Sequence, residues 1–185
     1  MFDEKNLVGK IIKGDIKSFQ VLVEKYERLV FHVVYRLTSD RENSEDICQE
    51  VFLKVHKGLH TFTFQSKLST WIARIAYHTS INYLKKHVKD YITHYPNNIE
   101  DFAGTSASPD FILEKKDFSK HLNDLIDQLP YQYRTVITLY HLDEFSYQEI
   151  EQITGMPAGT VKTNLFRARK LLKEKIELHL KKESL

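Results

Sequence analysis

SYQEIEQITGMPAGTVKTNLFRARKLL, residues 146–172, joins a short capped helix, a tight turn and a long basic helix. Ser146 followed three residues later by Glu149 is a capping box, so a helix is expected to start there and to bury Ile150 and Ile153, with Tyr147 on its flank. Gly155 can end that helix, because glycine tolerates the left-handed backbone common at helix ends. Pro157, with its fixed φ, suits the first position of a new one. In the second helix Val161, Leu165, Ala168 and Leu172 recur at steps of four, three and four, which makes one apolar stripe. The remaining face carries Lys162, Thr163, Asn164, Phe166, Arg167, Arg169 and Lys170. Two helices joined by a short Gly-containing turn, with arginine to bind guanine and lysine to neutralise phosphate on the open side of the second, form a helix-turn-helix suited to the DNA major groove. A solvated basic hairpin would leave Phe166 on that open face unexplained, whereas contact with a thymine methyl explains it.

The same stretch resembles the DNA-binding end of the extracytoplasmic-function (ECF) sigma factors of bacterial RNA polymerase. Their usual pattern is a Ser-Tyr-x-Glu-Ile helix followed by Pro-x-Gly-Thr-Val-Lys-Ser-Arg and Arg-Ala-Arg. Pro157, Gly159, Thr160, Val161, Lys162, Arg167, Ala168 and Arg169 match it, while Thr163 replaces the usual Ser and Asn164 the usual Arg. The resemblance implies that Thr160, Lys162, Thr163, Asn164, Phe166, Arg167 and Arg169 contact a promoter −35 element.

With 185 residues, 42% of them hydrophobic, the chain can build one domain or two small ones, and six Gly with four Pro favour helix. The lone cysteine, Cys48, excludes an intrachain disulfide and suits a reducing cytoplasm. Asp3 and Glu4 with no long apolar run argue against a signal peptide or membrane insertion, so a cytoplasmic protein is expected. The formal net charge of +2 hides a strong segregation. Residues 1–60 hold ten basic and ten acidic side chains, 61–89 hold five basic and no acidic, 90–159 four and twelve, and 160–185 eight and three. Two basic islands separated by an acidic span suggest two separate contacts with DNA.

Toward the N-terminus, Leu7, Val8, Ile11 and Ile12 mark a short helix broken at Gly14 and Asp15, and Phe19, Leu22, Val23, Tyr26, Val30, Val33 and Leu37 mark a long one. A third is expected from Ser44 to about Leu59, burying Ile47, Val51, Phe52, Val55 and Leu59. By itself its acidic face reads as solvated surface. In the ECF family the matching helix docks on the coiled coil of the polymerase's largest subunit, and Glu45, Asp46, Gln49 and Glu50 match its Glu-Asp-x-x-Gln-Glu pattern.

Residues 61–86 interleave basic and aromatic side chains, a composition that favours single-stranded DNA by base stacking and phosphate tracking. In the family this stretch melts the −10 element and captures a flipped base, which costs a few kcal/mol of unstacking. The residues expected to do so are Phe62, Phe64, Lys67, Trp71, Arg74, His78 and Asn82, with a core role for Trp71 alongside. Thr63, Phe64 and His78 depart from the family's frequent Arg, Gly and Asn.

Residues 87–109 lose periodicity and collect Pro, Asn, Gly and Ser, as a linker does. The expected architecture is therefore all-α, with two small helical domains, 1–88 and 111–185, joined by a flexible linker at 89–110, the second domain containing the helix-turn-helix. Within it, a helix with Leu113, Leu122, Leu125, Ile126 and Leu129 should end at Pro130, and the next should bury Tyr133, Val136, Ile137 and Tyr140. Lys181 and Lys182 are expected to fray. His56 and His60 stand at i, i+4 but lack partners to complete a zinc site, and no phosphate loop or nucleophile elbow occurs. No metal, no cofactor and no enzymatic activity are expected. The expected partners are core bacterial RNA polymerase, promoter DNA and, by family analogy, an anti-sigma factor, with the free chain a monomer. A dimeric repressor using the same helix-turn-helix would need neither the 61–86 stretch nor the acidic face, and a purely protein-binding module would leave both basic islands unused.

Overall fold

Three aspartates start the first three helices. Asp3 caps α1 (Glu4–Ile12) by accepting from Asn6 N at 3.1 Å, and Asp15 caps α2 (Ile16–Thr38) by accepting from Lys17 N at 3.0 Å and Ser18 N at 3.3 Å. Asp40 caps α3 (Arg41–Gly58) through Asn43 N at 3.2 Å. Each carboxylate satisfies an amide that the helix itself leaves unpaired, worth ~1 kcal/mol per cap. Asp40 is also why α3 begins three residues before the expected Ser44. Ser44 lies buried inside the first turn, its hydroxyl donating to the Asp40 carbonyl and lying 2.8 Å from Thr38 Oγ1.

The computed structural model describes residues 3–87 and 122–183, with side chains to 178, and contains no strand among them. After a 3₁₀ turn at Leu59–Thr61 comes α4 (Leu68–His87). The expected linker, and the helix expected around Leu113, lie outside the described residues. The described part of α5 covers 122–127, followed by α6 (Tyr131–Ile137), a π turn (Thr138–Leu142), α7 (Tyr147–Thr154) and α8 (Ala158–Glu183). Pro130 stands immediately before α6, in the cap position, as its lack of an N–H permits. The π turn replaces the continuous helix expected through Tyr140; Tyr133 and Tyr140 are half-buried, while Val136 and Ile137 are fully packed. Ile12 is another departure: it sits in the last turn of α1, rotated off the face that carries buried Val8 and Ile11, and is 52% exposed. At the other end α8 continues through Lys181 and Lys182 rather than fraying before them.

In the N-terminal half α2, α3 and α4 pack on one another through Leu22, Val30, Val34, Ile47, Val51, Val55, Ile72 and Ala76, all fully buried. In the C-terminal half Val136, Leu139, Ile150, Ile153, Val161, Leu165 and Ala168 close the centre of α6, α7 and α8. Each large aliphatic side chain so buried contributes roughly 1.5–3 kcal/mol. The two halves also touch, α2 against α6 and α4 against α7. Buried Arg36 on α2 pairs with the Asp127 carboxylate and with Asn123 Oδ1. Buried Arg134 on α6 donates to Ser39 Oγ at 2.6 Å and to the Asp127 carbonyl at 2.8 Å. Ser39 offers that hydroxyl from the left-handed residue, φ +55°, that ends α2.

Candidate nucleic-acid interface

α7 opens with the capping box that its sequence announces. Ser146 Oγ accepts from Glu149 N at 3.3 Å, and Ser146 N donates to Glu149 Oε2 at 2.8 Å. Gly155 ends it at φ +76°, where any other residue would be strained, and its N–H bonds Glu151 O. Thr154 Oγ1 then accepts from Met156 N at 3.2 Å, fixing the turn, and α8 begins after Pro157. This is the helix-turn-helix, its second helix buried along Val161, Leu165 and Ala168.

Thr160, Lys162, Thr163, Phe166, Arg167 and Arg169 all lie on the open side of α8, and Phe166 is 69% exposed. Asn164 does not. It is only 6% exposed, with Nδ2 on Met156 Sδ at 3.7 Å, because position 164 falls between Val161 and Leu165 on the inward face. Asn164 is therefore a packing residue of the turn. An aromatic shelf that the sequence reading missed flanks the open face. The rings of Tyr140 and Tyr147 stack at 5.1 Å, Lys162 Nζ lies 5.6 Å over Tyr147, and the Arg169 guanidinium lies 5.3 Å over Tyr140.

The second candidate surface lies along α4 and the loop before it. Arg74, His78 and Asn82 stand exposed and, with Lys54, Trp71, Ile75 and Thr79, line an open groove of about 380 Å³ between α3 and α4. Lys54 Nζ crosses it to Thr79 Oγ1 at 3.2 Å and pairs with Glu50 at 2.7 Å. Partial burial, with Arg74 and Lys85 nearby, lowers the His78 pKa below its ordinary value. Phe64 sits partly exposed at the loop tip in a left-handed conformation, φ +59°. Phe62 departs from expectation: it is buried under Phe64 and Trp71, ring centroids 4.6 and 5.2 Å away, and is a support for those rings rather than a surface contact. Trp71 is half-buried and meets Gly58 so closely that a Cβ there would lie 3.4 Å from its ring. Lys67 is exposed, yet its ammonium pairs at 2.9 Å with Glu149 of α7, which also accepts from Thr70 Oγ1 at 3.4 Å. Burial raises the Glu149 pKa, but the hydrogen bonds from Ser146 and Lys67 outweigh it and hold the carboxyl below its usual range.

Glu45, Asp46, Gln49 and Glu50 form one exposed face of α3, continued by Leu53, which is 61% exposed and was not anticipated. A large apolar side chain beside acidic ones suits a protein surface better than DNA. Cys48, on the inner flank of that helix, is half-buried, and burial with the nearby Glu45 pushes its thiol up to about 11. His56 packs edge-on against Phe19 at 4.7 Å, and no group of three or more metal-binding side chains occurs among the described residues. No described helix is long and apolar enough to cross a membrane.

Residues 22–89 match the family model for Sigma-70 region 2, and residues 120–172 match that for Sigma-70, region 4. The chain is 31% identical over 183 residues to the ECF RNA polymerase sigma factor SigW of Bacillus subtilis (strain 168), across 93% of this chain and 96% of that one. The chain is an ECF RNA polymerase sigma factor. It is 32% identical over 178 residues to the ECF RNA polymerase sigma-E factor of Escherichia coli (strain K12), across 92% and 93% of the two chains. Among solved structures, CnrH in complex with the cytosolic domain of CnrY shares the fold at a TM-score of 0.68 and 15% identity, covering 95% of this chain and 97% of that one. The sigma factor RpoE in complex with the anti-sigma factor NepR from Bartonella quintana matches at 0.64 and 25% identity, over 88% and 98%. This sigma factor binds RNA polymerase and directs it to promoters. It is an initiation factor and not an enzyme.

Proposed function

We propose that the exposed face of α8 reads the −35 element as duplex, with Lys162, Thr163, Phe166, Arg167 and Arg169 in contact and Thr160 at its entry. The observation that carries this is Phe166 standing 69% exposed among cations on the second helix of a helix-turn-helix. Large apolar groups are costly to leave in water, and a thymine methyl would cover this one. The groove beside Trp71, Arg74, His78 and Asn82, with Phe64 and Lys67 at its approach, takes the opened −10 strand. The Glu45, Asp46, Gln49 and Glu50 face, with Leu53, docks on core polymerase.

The two DNA faces belong to one packed body, with Lys67 held by Glu149. The −10 and −35 elements lie roughly 25 base pairs apart, about 85 Å at ~3.4 Å per step. A packed body of the roughly 150 described residues has a radius of gyration of about 15 Å and so spans only about 40 Å. The halves therefore part before both elements are engaged, and the closed form holds Lys67 away from the −10 strand. An anti-sigma factor is the expected additional partner, supported by the similar sigma factor RpoE, solved in complex with the anti-sigma factor NepR. The free chain acts as a cytoplasmic monomer.

The division of labour is tested with Arg167→Ala and Asp46→Lys. The first should lower −35 selectivity about tenfold, as loss of one arginine–guanine pair does, and leave core polymerase binding intact. The second should weaken polymerase binding and spare duplex reading. Equal loss of both activities in each variant would overturn the assignment.

A further inference from the structure

Arg169 meets His141 in a way that fixes the chemistry of both. Its Nε and Nη2 lie 3.2 and 3.1 Å from His141 Nε2. Arginine has only donors, so Nε2 must carry a free lone pair, and the imidazole is neutral with its proton on Nδ1. The surroundings agree. Partial burial and the facing Arg169 both lower the His141 pKa. The charged group facing His141 from α8 is Arg169, and on its own turn the Tyr140 ring closes edge-on at 4.9 Å. Tyr140 also lies under the guanidinium at 5.3 Å and is itself stacked on Tyr147. The guanidinium is thus held from below by a ring and along its Nε/Nη2 edge by one acceptor. The edge formed by Nη1 and the outer hydrogen of Nη2 stays open.

We propose that His141 and Tyr140 are positioning residues for promoter binding, orienting the open Nη1/Nη2 edge of Arg169 toward a phosphate of the −35 duplex. A phosphate is the partner rather than a base because Arg169 lies about three turns into α8, past Phe166 and Arg167, and the far end of a recognition helix meets the backbone. Two parallel N–H donors match two phosphate oxygens. Pre-orientation matters here because an unrestrained arginine loses rotamer freedom when it binds. The π turn at Thr138–Leu142 carries both Tyr140 and His141.

This inference rests on α8 being the −35 reader, and its test separates the two. The full chain, whose α8 face is open, is titrated with a −35 duplex recovered by promoter selection, across a range of salt. Arg169→Ala should weaken binding about tenfold on every sequence tried and reduce the salt slope by about one. His141→Leu, which removes the acceptor, should lose about three- to tenfold. His141→Gln, whose amide oxygen restores it, should stay within about twofold of the parent. Nitrogen NMR of the imidazole should show an unprotonated Nε2 at neutral pH in the parent and a disturbed signal in Arg169→Ala. Equal losses for Leu and Gln at position 141, no loss for Leu, or a protonated Nε2 would overturn the positioning role. If Arg169→Ala changes nothing while Arg167→Ala still does, the positioning proposal falls and the −35 reading stands; if neither changes binding, the −35 reading falls.

Discussion

Replacing Arg36 with alanine should loosen the contact between the two halves more than any other single truncation on α2. Its guanidinium bonds the Asp127 carboxylate and the side-chain and main-chain oxygens of Asn123, the latter at 3.5 Å. Removing one member of an exposed pair costs ~0–1 kcal/mol, and of a fully buried one ~3–5 kcal/mol. The Arg36 side chain is 9% exposed and that of Asp127 23%, which places this pair nearer the buried limit but lets water reach the abandoned carboxylate. The expected loss is therefore ~2–3 kcal/mol in urea denaturation. Because Asp127 belongs to the C-terminal half, the same variant should expand in small-angle scattering as the halves separate. In a double-mutant cycle with Asp127→Ala, the coupling energy should be at least ~1 kcal/mol. A loss below ~0.5 kcal/mol, additive behaviour with Asp127→Ala, or an unchanged radius would refute the reasoning that this pair holds the closed form.

Ser146→Ala deletes the cap of α7 and should cost ~1 kcal/mol in chemical denaturation; no loss would mean the capping box contributes nothing net. Asn164→Ala, facing Met156 from inside the turn, should lower stability by about 1 kcal/mol while leaving −35 discrimination unchanged. Altered discrimination would return Asn164 to the DNA face. Cys48 should resist alkylation at pH 7.5, since its thiol titrates near 11, and its reaction rate should climb about tenfold per pH unit up to that value. A rate that levels off near pH 9 would contradict the packing drawn around it.

The capping box at Ser146, the glycine stop at Gly155 and the basic face of α8 were readable because each depends on a few neighbouring residues and on helical spacing. Asn164 is less legible. Positions 161, 164, 165 and 168 have the inward-facing spacing, but a polar side chain among them reads as surface until its burial against Met156 is seen. Phe62 and Phe64 form one aromatic loop in the sequence, and only packing distinguishes the buried support from the exposed tip. The start of α3 moved to Arg41 because Asp40 competes with Ser44 as a cap and precedes it. Contacts between the halves could not be read at all. Arg36 and Asp127 are 91 residues apart, and nothing in the periodicity around either names the other. The π turn was equally hidden, and with it the shelf of Tyr140, His141 and Tyr147.

This chain confers promoter choice on polymerase rather than binding DNA on its own account. Run-off transcription with core bacterial RNA polymerase on a library of random promoters, with and without the protein, tests it most directly. Specific initiation should appear only with the protein, and the initiating templates should share two spaced elements at −10 and −35. No initiation, together with tight binding of duplex DNA by the protein alone, would contradict it.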